Sequence, residues 1–474
     1  MLKVIIEKEI RDLISSPKFA ITFGVCALLI ILTFYVGAAR YKLNVSQYEA
    51  SKSETNRSME GLTDWFDLEN VSAFLPPQPL AALVSGIAND IGRTAHISGR
   101  GSIPTEDSRY NEDPIYAIFR FIDLEFVFVV ILSLFAILLC YDSISGEKER
   151  GTLQLSFANA VPKNIYILGK LIGSLITLIV SIVIALAIGV LILLLMGINI
   201  SQGEWLRLLL IILSGLLFIN VFLNLSIFIS TLTHRSANSF LILLVIWVLC
   251  VHIIPRASVL MAARSVDVLS VDEISYQKTV LSAQLSEEFR EGMSNFMVSS
   301  SENHSTDHLK SINDYIDSLG NIRSSKLDEL SSRLAEQRQN AQRHQELRAM
   351  GIARISPVTS FSLAASNLAG TSTRLKNRFI DEAHNYQKQY GAFIKEKTGM
   401  NLGGGIRIKA STDGCGADKK PEPIDPRELP AFNFTNHSMS EVLNAAVIDL
   451  GILSIFNLIF FAGAFIAFIR YDVR

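Results

Sequence analysis

Apolar and polar positions alternate along this chain on two length scales. A helix that crosses the hydrocarbon of a bilayer needs about 20 consecutive apolar residues. Six runs supply them, near residues 19–39, 121–141, 165–196, 206–232, 240–254 and 442–469. The fifth is short and reaches spanning length when residues 236–239 are included. The third, at about 32 residues, would measure about 48 Å as a helix, more than the roughly 30 Å of a hydrocarbon core, so one end projects or the helix tilts. Between the fifth and sixth runs the scale changes. Ile274, Leu281, Leu285, Phe289, Met293 and Phe296 fall at helical spacing, as do Leu309, Ile312, Ile316 and Leu319. A thinner stripe of Leu327, Leu330 and Leu334 follows, and Leu375, Phe379, Tyr386, Tyr390 and Phe393 mark a further helical face.

The pattern predicts an all-α polytopic membrane protein with six transmembrane helices and a mostly helical extracytoplasmic domain. Residues 299–307 are a plausible turn, so the first two outer stripes are expected to bury each other as an antiparallel hairpin; packing between two copies is the alternative. Gly and Pro interrupt residues 401–426, which leaves room for a short strand at 406–410 in a loop or small hairpin.

Charge supplies the orientation. With the N-terminus inside, the short inner pieces carry Lys3, Lys8, Arg11 and Lys18, then Lys148, Arg150, Lys163 and Lys170, then Arg235, and finally Arg470 and Arg474; the short outer loop GINISQGEW carries no Lys or Arg. Both termini are therefore expected in the cytoplasm. The expected layout is an amphipathic interfacial helix at 1–16, and spans one to five within 17–254, with an outer loop at 40–120 and a cytoplasmic segment at 142–164. An extracytoplasmic helical domain at 255–441 and the sixth span with a short tail at 442–474 complete it. The first run is not a removable signal, because Glu7, Glu9 and Asp12 precede it and it is longer than a signal core.

In MLKVIIEKEIRDLIS, Leu2, Ile5, Ile6, Ile10 and Leu13 share one side of a helix, and Lys3, Glu7, Lys8, Arg11 and Asp12 the other. Such a helix lies flat at the inner interface before the chain turns at Pro17, or is the frayed start of the first span. The segment SGEKERGTLQLSFANAVPKNIYILGK, residues 145–170, carries four charges in a row. Ser145 can cap a helix whose first turn holds Glu147 and Glu149, where acids suit the positive end of the helix dipole. Leu153, Phe157 and Ala160 share its apolar face, and Pro162 suits the start of the next helix.

A formal net charge of -2 over 474 residues lacks the basic excess of a nucleic-acid footprint. Of four cysteines, Cys26, Cys140 and Cys250 lie in apolar runs and only Cys415 in a polar region, which is neither a disulfide framework nor a zinc spacing. His304, His308, His344 and His384 lack metal-ligand periodicity, and no spacing suggests a nucleophile with its base. Catalytic, cofactor-binding and metal-binding residues are not expected on this chain. Polar side chains within spans are the candidates for a translocation path: Asn220 and Asn224 in the fourth span, and Asn444, Asp449 and Asn457 in the sixth. Hydrogen bonding between helices is the simpler reading of any single one of them. Gly169 and Gly173 form a small-xxx-small pair suited to close helix packing.

Glu147 followed by Gly151-Thr152-Leu153, then Pro162, then Gly169-Lys170, behind an amphipathic N-terminal helix, resembles the membrane subunits of type-2 ABC exporters. FLPPQPLAALVSG and ISPVTSFSLAASNLAGT resemble the branch with a large extracytoplasmic insertion between spans five and six. The resemblance implies a permease of the bacterial cytoplasmic (inner) membrane, surrounded by lipid and acting as a homodimer or as a heterodimer with a second permease. It further implies that the stretch between spans two and three, within 142–164, forms a coupling helix docked on a separate ABC ATPase subunit, with Glu147, Glu149, Gly151, Thr152, Leu153, Phe157 and Pro162 at or beside the contact. ATP and Mg would be held by that partner, since this chain has no GxxxxGK[ST] loop. The alternative is a non-transporting subunit that couples the ATPase to an extracytoplasmic partner or senses a ligand there.

Overall fold

The computed structural model describes the chain except residues 64, 66–67, 69, 89, 99–104, 107–122, 159–160, 300–305, 399–423 and 472–474. Six helices are long and apolar enough to cross a membrane: Pro17–Ser58, Leu124–Glu149, Lys163–Leu195, Gln202–Leu232, Ser236–Ser265 and Met439–Arg470. The protein is an all-α polytopic membrane protein. In chain order its elements begin with α1 (Leu2–Ile14) and α2 (Pro17–Ser58), followed by β1 (Asn70–Phe74), β2 (Thr94–Ser98) and β3 (Thr105–Glu106). Next come α3 (Leu124–Phe126), α4 (Ser133–Cys140), α5 (Ser145–Glu149), α6 (Thr152–Ala158), α7 (Lys163–Leu195), α8 (Gln202–Leu232), α9 (Ser236–Val248) and α10 (Ile254–Ser265). The remainder are α11 (Val271–Ser299), α12 (Thr306–Ala353), α13 (Pro357–Ala369), α14 (Thr373–Thr398) and α15 (Met439–Arg470).

Local chemistry sets the helix starts. Ser16 accepts from the backbone N–H of Phe19 with Pro17 at the first helical position, which separates α1 from α2. Capping boxes open α8, through Ser201 and Glu204, and α15, through Ser438 and Glu441. The second and fifth spans are each interrupted by a π-helical turn, Val127–Leu132 and Leu249–Ile253. Trp247 Nε1 donates to Ser133 Oγ at 2.8 Å and ties the two interrupted helices together.

Two spans outrun their apolar stretches. Helix α2 continues to Ser58 instead of ending in a loop near residue 40, because the polar residues beyond the bilayer edge include good helix formers and neither Gly nor Pro. The 3-10 turn Pro79–Ala82 presses against it so closely that a Cβ on Gly37 would stand 1.9 Å from the Ala82 carbonyl oxygen. The fifth span likewise continues through α10 to Ser265.

At the end of the bundle away from α1, the chain makes an excursion whose hairpin periodicity announced and whose return among the spans it did not. Helices α11 and α12 run antiparallel, with Phe296 stacked on Tyr315 at 4.3 Å and Lys326 Nζ 3.2 Å from Glu288 Oε2, so the expected hairpin forms within the chain. Its expected turn lies across 300–305, outside the described residues. Helix α12 then brings Arg354 down to Asp449 in the sixth span, a bidentate contact with Nε–Oδ1 at 2.6 Å and Nη2–Oδ2 at 3.2 Å. Ser356 Oγ donates to the Cys250 carbonyl oxygen at 2.7 Å, and α13 returns along α8 and α15 with Phe361 stacked on Phe218 at 4.8 Å. Gly370, in the left-handed conformation with φ 72°, ends it. The run PVTSFSLAASNLA is buried among the spans because its small and apolar side chains let it enter, and its backbone is satisfied within its own helix.

Beyond the spans, three strands form an antiparallel sheet in the order β1-β2-β3, with Asn70 opposite Ser98 and Phe74 opposite Thr94. Val71, Ala73, Ala95 and Ile97 on one face meet Leu375, Phe379, Tyr386 and Tyr390 of α14. The helical face read from spacing is therefore the lid of a sheet, whose short strands the Gly and Pro residues of the sequence between 59 and 106 conceal. The expected strand at 406–410 lies outside the described residues.

Replacing Arg354 with Leu leaves the fully buried Asp449 carboxylate without its cation, a loss of about 3–5 kcal/mol. The thermal unfolding midpoint of the detergent-solubilised protein is expected to fall clearly, and adding Asp449→Leu is expected to recover most of the loss.

Candidate functional site

At the other end of the bundle, α1 lies along α7. Gly169 and Gly173 permit this approach: a Cβ on Gly169 would stand 2.6 Å from Ile5 Cγ2, and one on Gly173 would stand 2.8 Å from Glu9 Cβ. The seam lowers Glu9 into the interior, and the apolar positions Ile5, Ile6, Ile10 and Leu13 are half-buried around it. Helix α1 is thus a separate element docked on the third span.

Lys170 of α7 receives that carboxylate. Its Nζ stands 2.7 Å from Glu9 Oε2 and 2.8 Å from Glu147 Oε1, and the exposure of the three side chains is 8%, 5% and 8% for Lys170, Glu9 and Glu147. The Tyr166 hydroxyl donates to the other oxygen of Glu147, and Ser143 and Ser174 hydroxyls each approach Glu9 Oε1 at 3.4 Å. Burial raises the Glu9 carboxyl above its usual pKa, against the pull of Lys170. One buried cation bridging two carboxylates from separate elements is costly to assemble and costlier to break, since removing one partner strands the others in low dielectric.

The four consecutive charges of the segment each address a different neighbour. Glu147 turns inward to Lys170. Lys148 donates to the Thr231 and Thr233 carbonyl oxygens at the C-terminal end of α8 and sits 4.1 Å from the ring centre of Tyr471, just after α15. Glu149 Oε2 accepts from Ser236 N at 3.0 Å and Ser236 Oγ at 2.8 Å, capping α9. Arg150 Nε donates to the Gly146 carbonyl oxygen at 3.0 Å within the turn itself. Beneath them, Ser230 Oγ of α8 accepts from the backbone N–H groups of Ile144 at 3.1 Å and Ser145 at 2.9 Å. Ser145 is therefore a buried first residue of α5 that is held by α8, and Ile144, not Ser145, occupies the cap position.

Gly151, with φ 72°, turns the chain between α5 and α6, a conformation that costs other residues about 1 kcal/mol or more. On α6, Leu153 is buried and Phe157 packs 5.4 Å from Tyr166 and 6.0 Å from Phe468, while Thr152, Gln154 and Leu155 face outward, Leu155 at 67% exposure. Ala160 lies outside the described residues. Pro162 is extended and precedes α7, which runs unbroken from Lys163.

The sequence-derived site residues thus divide. Glu147 and Leu153 are internal, Glu149 caps a span, and Thr152 stands at the surface. Of the polar residues in the spans, Asn224 Nδ2 donates to Asn457 Oδ1 at 3.1 Å, and Asn457 Nδ2 donates to the Leu217 and Leu453 carbonyl oxygens at 2.9 and 3.0 Å. Asp449 holds Arg354, Asn220 is half-buried, and Asn444 is exposed on α15. Sequence reasoning used Lys170 as an inner positive charge and as part of the motif that carries the resemblance, used Glu9 only as an acid ahead of the first span, and gave neither a partner; Tyr166 and Ser230 were not singled out. A lysine flanked by Gly169 and Gly173 inside an apolar helix was the available signal, because such a charge must find a partner.

Lys170→Met is expected to lower the thermal midpoint by the equivalent of about 3–5 kcal/mol and to open α1 to protease, because two carboxylates lose their counter-charge. Adding Glu9→Gln is expected to return part of that loss, the non-additivity of a shared contact.

Compared with known proteins, residues 3–473 match the family described as ABC-2 family transporter protein. Comparison with individual curated proteins returns no match. A match that covers almost the entire chain, on a six-span helical bundle, carries the assignment: the chain belongs to the ABC-2 transporter family, as a membrane-spanning permease of an ABC transporter.

Proposed function

We propose that this permease works as half of an exporter in the bacterial inner membrane, with both termini and the α5–α6 corner in the cytoplasm. The corner docks on a separate ATPase subunit, which holds ATP and Mg. The observation that carries the reading is the division of labour in residues 147–155. The charges bond inward to α7, α8, α9 and the end of α15, leaving Thr152, Gln154 and Leu155 as an outward contact face. A displacement of α6 therefore reaches several spans at once. ATP that binds the closed ATPase pair more tightly than the open one would shift the membrane part between two arrangements through this corner.

In this reading Glu147, Glu149 and Pro162 position the corner, Gly151 sets its bend, and Thr152 and Leu155 meet the ATPase. Leu153 and Phe157 anchor α6 to the bundle. A second permease, identical or not, completes the path, and Asn444 is the candidate path residue left exposed on this chain.

The Arg354–Asp449 contact favours a second reading, in which the outer hairpin exchanges force with a partner outside the membrane, since α12 is tied directly to the sixth span. Deleting residues 272–350, which leaves Arg354 in place, separates the two. ATP hydrolysis by the reconstituted complex is expected to persist unchanged for an exporter and to change if the hairpin is part of the coupling.

Leu155→Asp is expected to reduce co-purification of the ATPase at least about tenfold, the scale of losing one well-packed apolar contact to an introduced charge. The thermal midpoint of the permease alone should hold, because Leu155 is exposed. Undiminished association with this variant would remove the docking assignment.

A further inference from the structure

Between the outer part of α2, strand β1 and residues 425–433 lies a half-open groove of about 620 Å³, within the volume range of small-molecule sites. Val71, Ser72 and Phe74 all line it. Val71 belongs to the buried face of the sheet, and Ser72 and Phe74 to the opposite face. With the Val71 side chain in the core, residues of both faces of one strand line a single groove where it runs along that strand's main-chain edge. The sheet order β1-β2-β3 leaves one edge of β1 on the groove side, and among the described residues no strand pairs with it. Such an edge presents a row of main-chain donors and acceptors about 17 Å long for five residues.

The facing wall is different in kind. Helix α2 satisfies its own backbone and offers side chains, with Tyr48, Lys52 and Asn56 one turn apart. Lys52 lies toward one end of that wall, and Glu60, just past the helix end, toward the other, eight residues and about 12 Å apart. This separation matches an extended chain of about four residues at about 3.3 Å each. Phe432, edge-on to Tyr386 at 5.6 Å, gives the groove an apolar floor.

We propose that this groove binds a short peptide with free termini, which adds to the edge of β1 as a strand while Lys52 receives its carboxylate and Glu60 its ammonium group. The main-chain edge makes binding tolerant of side-chain identity, and the two charges select for length and for uncapped ends. The site stands independently of the exporter reading, because peptide binding needs neither the ATPase nor a direction of transport.

The test uses the full-length permease in lipid nanodiscs, titrated calorimetrically with the tetrapeptide Val-Thr-Val-Thr. Saturable binding is expected. Acetylating and amidating the peptide ends should weaken it about three- to tenfold, as should the Lys52→Met, Glu60→Gln double variant, since both charges are exposed. Methylating alternate peptide nitrogens should weaken binding about tenfold in one frame and leave it nearly unchanged in the other, because only one frame faces β1. Asn56→Trp, an exposed change that fills the groove, should abolish binding without moving the thermal midpoint. The proposal is overturned by absence of saturable binding or by binding indifferent to capping and methylation. It is equally overturned by binding of a linear oligosaccharide probe in place of the peptide, or by peptide binding that emerges only after residues 401–420 are deleted.

Discussion

A single buried ammonium group organises the end of this molecule where α1 docks. Lys170 would be intolerable in an apolar helix without counter-charge, and its two counter-charges come from different parts of the chain, one from the N-terminal helix and one from α5. Each element is docked because the others are. The glycine seam that admits α1, the serines that line Glu9 and the tyrosine that completes Glu147 all follow from the need to leave no buried carboxylate oxygen or ammonium proton unmet.

The far end solves the same problem with a different geometry. There the charge enters from outside the spans, carried down by α12, and the chain must climb out again. It does so as α13, whose helical backbone needs nothing from its surroundings and whose small residues slip between α8 and α15. The Asn224–Asn457 contact joins those same two helices elsewhere along their length. Buried polar pairs therefore fix both the α5–α6 corner and the excursion through α12 and α13, while the apolar surfaces between them supply area without specifying register.

The six spans, the amphipathic α1, the unbroken third span and the buried face of α14 were legible in the sequence because each obeys one period over many residues. The corner at residues 145–158 was legible as a helical segment, but not as a hub. Periodicity tells which residues share a face and says nothing about what lies opposite, so Glu147 and Lys170 could be named without being paired. Ser145 has the chemistry of a cap, yet α8 brings Ser230 beneath it and the helix begins one residue earlier than a local reading allows. The sheet escaped because five-residue strands between Gly- and Pro-rich turns carry little pattern, and α13 because an apolar thirteen-residue helix reads the same outside a bilayer edge as between spans.

Helix α2 runs for 42 residues, about 63 Å, from the Ser16 cap to the mouth of the outer groove. At its N-terminal end Lys18 Nζ meets Asp142 Oδ2 at 2.9 Å, close to the α5–α6 corner. Angle is thereby converted into distance: each degree by which the rod leans about that anchor sweeps its outer tip through about 1 Å. A few degrees, too little to disturb the packing near the pivot, would alter the width of the groove between α2 and β1.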